Sequence, residues 1–179
     1  MDHDEVIGTY GEAPEHITVI SEAREVEGVS VPDPKKVVCL TQTTLSVDDT
    51  AEVITALQKR FPDLHLPAKE DICYATTNRQ EAVRQLAETA DVVFVLGSQN
   101  SSNSLRLAEL GEGRTGQAYL VDSVDELPDG WNEGVERVVV TAGASAPEDV
   151  VTDCLDHLKS AHGATVDEIT VSEEHVHFP

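Results

Sequence analysis

Three segments of this chain repeat one arrangement. An apolar run passes into a loop dense in small hydroxyl and amide side chains and then into a helical pattern: "VVCLTQTTLSVDD", "VFVLGSQNSSNS" and "VVVTAGASAPED". Hydroxyls, amides and the unpaired N–H groups of a helix start together hold anionic oxygen, phosphate above all, without needing Lys or Arg. Helix capping alone explains one such loop, since Ser, Thr and Asn cap helices routinely. Three in one chain, with the "SSNS" of residues 101–104 exceeding what a single cap requires, point to an oxyanion site. A fourth segment, "EDICYATTNRQ" (70–80), sets Cys73 just before a helix start and far in sequence from Cys39 and Cys154. A thiol at a helix mouth is favoured as the thiolate, which makes Cys73 a candidate nucleophile or metal ligand. Packing as a small buried residue is the alternative.

The elements that must position these residues follow from periodicity. Short apolar runs at 17–20, 37–42, 91–97, 117–121, 137–143, 168–171 and 175–178 read as strands, the run at 91–97 as one buried on both faces. Between them lie helical patterns. One opens at Ser46, with Asp49 three residues on, and puts Val53, Ile54, Leu57 and Phe61 on one face. A second starts at Thr77, which forms a capping-box pattern with Gln80, and turns Ala82, Val83, Leu86, Ala87 and Ala90 inward. A third surrounds 103–110, and a fourth opens with Ser145, Pro147 and Glu148. Strands alternating with helices predict an α/β protein of two lobes with mainly parallel sheets, in which the hydroxyl loops lie at the carboxyl ends of strands, where ligands bind. The polar, Pro-containing stretch 67–71 predicts a boundary, giving lobes at 1–69 and 70–179. Cys154 shares the apolar face of its helix with Val150, Val151, Leu155 and Leu158, and Cys39 lies inside a strand; both read as core. His16, His65, His157 and His162 read as strand-end or solvated residues, and Trp131, Tyr119 and Phe94 as packing. His175 and His177 alternate on the terminal strand, a spacing that more often has no metal.

Composition narrows the partners. The chain has 179 residues, 40% of them apolar, and 34 Asp plus Glu against 12 Lys plus Arg for a formal net charge of −22. Nucleic acid and anionic membranes are poor partners for such a surface. No run approaches the length needed to cross a bilayer, and the N-terminus lacks the pattern of a signal peptide, so the expectation is a cytoplasmic protein. Three widely spaced cysteines make neither a disulfide framework nor a sequential zinc motif. Carboxylates at outward helix positions such as Asp48, Glu52, Glu88, Asp153 and Asp156 suit a protein working in high salt, with an ordinary acidic protein as the alternative.

The segments "TQTTLSVDDT", "DICYATTNRQEAV", "GSQNSSNSLRLAEL" and "TAGASAP", in this order, closely resemble the 4-hydroxy-3-methylbut-2-enyl diphosphate reductases, the LytB/IspH family of the non-mevalonate isoprenoid pathway. The resemblance covers essentially the whole chain. It implies two lobes of a three-lobed α/β architecture around a 4Fe-4S cluster held by three cysteines, with Cys73 as one ligand. Soft thiolates suit such clusters. It also implies that Ser101, Ser102, Asn103 and Ser145 hold the diphosphate and that Thr43 orients the allylic hydroxyl. "HDEVIGT" resembles the family segment that makes His3 a diphosphate contact and Glu5 the acid relaying a proton to the departing hydroxyl. Thr76 would line the same cavity. The implied reaction yields isopentenyl and dimethylallyl diphosphates, with two electrons delivered one at a time by ferredoxin or flavodoxin. The family's N-terminal third, with the first two cluster cysteines, has no counterpart here, so the expectation is a truncated reductase, inactive by itself. A cluster-free diphosphate-binding remnant or regulatory module is the alternative. Independently of that reading, the charge predicts salt-dependent folding, because repulsion is screened over ~10 Å at 0.1 M salt but ~3 Å at 1 M. The melting temperature should rise between those conditions, and a flat response removes the high-salt expectation.

Overall fold

Val, Val, Phe, Val and Leu in succession leave a strand no face that can meet water, and β1 (Val92–Leu96) is fully buried along its length. It is the middle strand of a parallel three-stranded sheet of order β2-β1-β3, flanked by β2 (Ala118–Val121) and β3 (Val138–Ala142). Val93 to Leu96 stand opposite Ala118 to Val121, and Val92 to Leu96 opposite Val138 to Ala142. This computed structural model describes residues 3–67 and 71–171. The chain divides into two compact units, Met1–Cys73 and Tyr74–Pro179, and the sheet belongs to the second.

The period of two along β1 splits that unit into two cores. Val92, Phe94 and Leu96 pack with Val121 and with Cys154 and Leu158 of α5 (Glu148–His162). Val93 and Val95 pack with Val83 and Ala87, at the end of α3 (Tyr74–Leu86), and with Leu107 of α4 (Ser102–Thr115). Trp131 closes the first core edge-on to Phe94, with ring centroids 4.8 Å apart. Asp91 fixes the start of the sheet. Its carboxylate accepts from the N–H groups of Glu136 and Arg137 at 2.9 and 2.8 Å, and its own N–H donates to the Arg137 carbonyl.

Helix starts differ from the sequence expectation in two places. The helix expected from Thr77 begins at Tyr74, so Thr77 and Gln80 do not form its capping box; the inward face carries Thr76 and Gln80 ahead of Val83 and Ala87. The fourth expected helix starts at Glu148 with Pro147 in the cap position and no capping side chain, which leaves Ser145 outside the helix and exposed. The expected cap at Ser46 is present, its hydroxyl accepting from Asp49 N–H at 3.3 Å at the start of α2 (Val47–Arg60).

The first unit contains α1 (Asp4–Glu12), which buries no residue, and a 3-10 turn at Ala23–Gly28 that packs with α2 on Val26, Val29, Leu57 and Phe61. The strand expected at 17–20 is irregular, although Ile20 still packs on this core. The strand expected at 37–42 reduces to an isolated parallel bridge between Val38 and His65, with Cys39 N–H donating to the His65 carbonyl and His65 N–H to the Val37 carbonyl. Among the described residues the ladder goes no further than this bridge. Val37 and Cys39 turn inward and Val38 and Leu40 outward, each of the latter 61% exposed. The run at 168–171 is also irregular and mostly exposed, with no strand beside it among the described residues; the run at 175–178 and its histidines lie outside the described residues.

Two backbone N–H groups, Arg137's first and then Glu136's, hold the Asp91 carboxyl below its usual value. A carboxyl lowered by folding contributes stability above its unfolded pKa, near pH 4, and loses that contribution as pH falls through the lower folded value. Asp91→Asn should therefore be less stable than the parent at neutral pH, with the gap closing on acidification. Urea titrations across this range check it, and a gap unchanged at acid pH would show that the charge is not its source.

Candidate functional site

Residues far apart in sequence meet in the first unit. His3 caps α1, its Nδ1 accepting from Glu5 N–H at 3.2 Å. Glu5 in turn receives the loop at residue 43: Thr43 N–H donates to the carboxylate oxygens at 3.2 and 3.3 Å, and Thr43 Oγ1 donates to Oε2 at 3.2 Å. The Thr43 carbonyl accepts from Cys73 N–H at 3.0 Å. The same loop is anchored again by Asp71, whose carboxylate accepts from Thr41 N–H at 2.7 Å. His3, Glu5, Thr43 and Cys73 thus form one connected group, with a carboxylate, a hydroxyl and an exposed cysteine around a short loop. The chemistry available there is proton transfer between Glu5 and a group touching Thr43, within hydrogen-bond reach.

In the second unit the parallel register brings two loops side by side, because β1 and β3 end together at Leu96 and Ala142. α4, which follows β1, packs with the Val93 and Val95 core, and α5, which follows β3, packs with the Val92, Phe94 and Leu96 core. The chain therefore leaves these adjacent strands toward opposite faces of the sheet, the arrangement that opens a crevice at strand ends. Gly97 and Gly143 start the two loops, joined by Gly143 N–H donating to the Leu96 carbonyl at 2.9 Å. Ser101 caps α4 by accepting from Ser104 N–H at 3.3 Å. Ser102 and Ser101 are half-buried and Ser145 is exposed. Asn103 is only 6% exposed, and both its amide oxygen and its nitrogen lack a hydrogen-bond partner among the described residues. A buried amide left unpaired costs about 1–3 kcal/mol, and such groups concentrate where a ligand completes them. Thr76 is buried on α3, 2% exposed, and so does not line an open surface in this conformation.

The three cysteines are differently placed. Cys154 is fully buried in the apolar core, and burial pushes its thiol upward. Cys39 packs on the first unit's core, its thiol raised by burial and then by the nearby Asp71 carboxylate. Both positions match the core role expected of them. Among the described residues no three His, Cys, Asp or Glu side chains converge to hold a metal. The donor set here therefore does not by itself fit a cluster held by three thiolates. A hollow of about 540 Å³ lies elsewhere, beside β2, lined by Leu105, Tyr119, Glu109, Glu112 and Glu126 among others. Its three carboxylates make it unsuited to an anion, and it contains none of the expected site residues.

Ser104 was missed by sequence reading, and so was its fit with the two glycines. It is completely buried, its hydroxyl without a partner among the described residues. A methyl on Gly97 or Gly143 would collide with the Ser104 hydroxyl, so both must stay bare for the strand ends to close over it. Gly143→Ala should cost about 1–3 kcal/mol by overpacking. Adding Ser104→Ala should recover most of that loss, since the remaining Ser104 Cβ would stand 3.4 Å from the new methyl, an ordinary contact. Melting curves of the single and double variants test this; a double variant no more stable than Gly143→Ala alone would refute the wedge.

The known proteins to which this chain is similar point to one family. The family model described as LytB protein matches residues 1–159. A 4-hydroxy-3-methylbut-2-enyl diphosphate reductase of Streptomyces avermitilis is 51% identical over 177 residues, covering 98% of this chain and 52% of the relative. One of the same name from Rhodopirellula baltica is 52% identical over 177 residues, covering 99% of this chain and 56% of the relative. The solved E-1-hydroxy-2-methyl-but-2-enyl-4-diphosphate reductase of Plasmodium falciparum superposes with a TM-score of 0.83 at 34% identity, over 89% of this chain and 50% of that one. The chain spans about half the length of these relatives, and with a match running through both units it belongs to the LytB protein family.

Proposed function

We propose that this chain is the part of a 4-hydroxy-3-methylbut-2-enyl diphosphate reductase that supplies proton delivery and diphosphate binding. The observation that carries the reading is the contact of Glu5 with Thr43, which links a carboxylate to the hydroxyl best placed to meet a substrate alcohol. Glu5 alone would be an ordinary surface acid. Joined to Thr43, it has a route for its proton.

Hydroxide is a poor leaving group, so C–O cleavage in an allylic alcohol needs a proton on the departing oxygen. With Glu5 protonated, its O–H donates to Thr43 Oγ1, and the Thr43 proton passes to the substrate hydroxyl, which departs as water. Glu5 is left ionised and accepts from Thr43 N–H and Oγ1, the arrangement described above. His3 fixes the start of α1 and thereby the height of Glu5. The diphosphate is taken by Ser101, Ser102, Asn103 and Ser145, with the Asn103 amide, unpaired among the described residues, gaining its partner. In this assignment residues 1–69 and 70–179 correspond to the middle and C-terminal lobes of the family architecture.

Reduction also needs two electrons, for which ferredoxin or flavodoxin is the proposed donor, and a 4Fe-4S centre is the proposed acceptor. Cys73 would contribute one thiolate to that centre. The other ligands would come from sequence that the relatives carry outside the matched half. That Cys39 and Cys154 are committed to cores favours a second reading for the chain acting alone, a cluster-free module that binds diphosphate.

Fusing this chain to the unmatched portion of the Streptomyces avermitilis relative separates the two. Anaerobic reconstitution with iron and sulfide should give a stable cluster and reduction of the allylic diphosphate in the fusion but not in the chain alone. Glu5→Gln in the fusion should lower kcat by about 10²–10⁴ with little change in KM, as removal of a proton donor does, whereas Asn103→Ala should chiefly raise KM. Unchanged kcat in Glu5→Gln would remove the relay. A fusion with neither cluster nor turnover would favour the binding module.

A further inference from the structure

Arg79 is an unusual cation for this chain. Arg24, Arg60, Arg84, Arg106 and Arg114 each stand within salt-bridge distance of a carboxylate. Arg79 has no carboxylate partner among the described residues, although Asp and Glu outnumber Lys and Arg by 34 to 12. It is half-buried in the second turn of α3, and its guanidinium donates to two main-chain carbonyls: Nε to Ala142 and Nη1 to Ala75, each at 3.2 Å. The Ala75 bond lies within α3. The Ala142 bond is long-range and grips the last residue of β3, immediately before Gly143.

That position couples Arg79 to the oxyanion loops. Gly143 is hydrogen-bonded to the end of β1, and a Cβ built on it would lie 3.8 Å from the Asn103 amide nitrogen. Ser145 follows two residues later. A half-buried guanidinium that has only carbonyl acceptors keeps its full charge unneutralised, a costly arrangement unless an anion shares the space. The neighbouring groups proposed for the diphosphate are all neutral hydroxyls and amides. They orient an anion but do not offset its charge.

We infer that Arg79 is a positioning residue of the oxyanion site: it holds the 142–145 loop through the Ala142 carbonyl and supplies the positive field that the neutral hydroxyls and amides lack. The inference rests on the reading of those loops as a diphosphate site and adds a residue to it. Lys cannot replace Arg here, because a single ammonium cannot reproduce the fork that reaches two carbonyls.

The test uses the 179-residue chain, inorganic diphosphate as probe, and three variants: Arg79→Met, Arg79→Lys and Arg114→Met. The last loses the same charge at the opposite end of α4, where Arg114 pairs with Glu88. Amide spectra of the ligand-free proteins should show Gly143, Ala144, Ser145 and the Asn103 side chain displaced in Arg79→Met while Val92–Leu96 stay in place. Calorimetry should show diphosphate binding weakened by about tenfold in Arg79→Met, less in Arg79→Lys and hardly at all in Arg114→Met. The dependence of affinity on salt should be shallower in Arg79→Met than in the parent, which a purely structural role would not produce. Unmoved loop resonances, or equal losses in Arg79→Met and Arg114→Met, would overturn the inference. If the parent itself does not bind diphosphate, the diphosphate reading fails and the counter-charge falls with it, while the spectra still decide whether Arg79 holds the loop.

Discussion

The burial of β1 on both faces is the constraint from which the second unit follows. A strand with no polar side chain must be covered twice, so α3 and α4 take the Val93 and Val95 side and α5 takes the Val92, Phe94 and Leu96 side. Parallel neighbours are then needed on both edges, and their common direction delivers the loops after β1 and β3 to one end of the sheet. Gly97, Gly143 and Ser104 are where that delivery is enforced. The strand ends close on a buried hydroxyl with no room for a methyl, and the polar groups of Asn103 and Ser145 are carried on backbone that the sheet has already fixed.

The first unit reaches its arrangement by a different balance. Its core is small and, among the described residues, its parallel pairing is an isolated bridge, so side chain to main-chain hydrogen bonds define the loop at 41–44. Asp71 and Glu5 grip Thr41 and Thr43 from different segments, and the Cys73 N–H closes the set on the Thr43 carbonyl. Carboxylate acceptors make stronger hydrogen bonds than neutral ones, which suits a loop without a sheet to fix it. It follows that a change of charge at Glu5 would be felt by the conformation of Thr43 as well as by its chemistry.

How far the sequence could be read depended on whether a residue's neighbours lay within its own element. β1, β2, β3 and the helices containing Leu57, Leu107 and Cys154 were legible because apolar periodicity is local. The runs at 17–20, 37–42 and 168–171 have strand composition, but a strand needs a partner, and composition does not reveal that among the described residues none, or only a few residues, is available. Thr77 and Gln80 matched a capping box while the helix began at Tyr74, because tertiary packing of α3 draws Gln80 into the interior. His3, Glu5, Thr43 and Cys73 were singled out through family resemblance, each for a separate role, and the hydrogen bonds that link them were not legible in the sequence. Their roles in catalysis rest on the proposal. Asp71 was visible inside the "DICY" motif, yet its carboxylate reads as an ordinary surface charge until Thr41 is placed beside it. Ser104 was quoted within "SSNS" as one more hydroxyl; only the approach of two glycines shows that it faces inward.

The acid-rich surface makes the handling of an anion a physical problem for this chain. With a formal net charge of −22, the long-range field opposes a diphosphate, and salt can weaken that opposition only beyond the screening length. Attraction must then be local and short-ranged. On the proposed reading the helix start at Ser101 and the neutral donors of the two loops would orient the anion at contact distance, with an effect that falls off within a helical turn. Most of the arginines cannot help, being paired with carboxylates at the surface. Arg79, with no carboxylate partner among the described residues and turned onto backbone carbonyls, would on the proposed reading retain its field where the loops meet. The same bond that withholds the charge from surface acids also holds the end of β3, so geometry and electrostatics at the oxyanion loops cannot be altered independently.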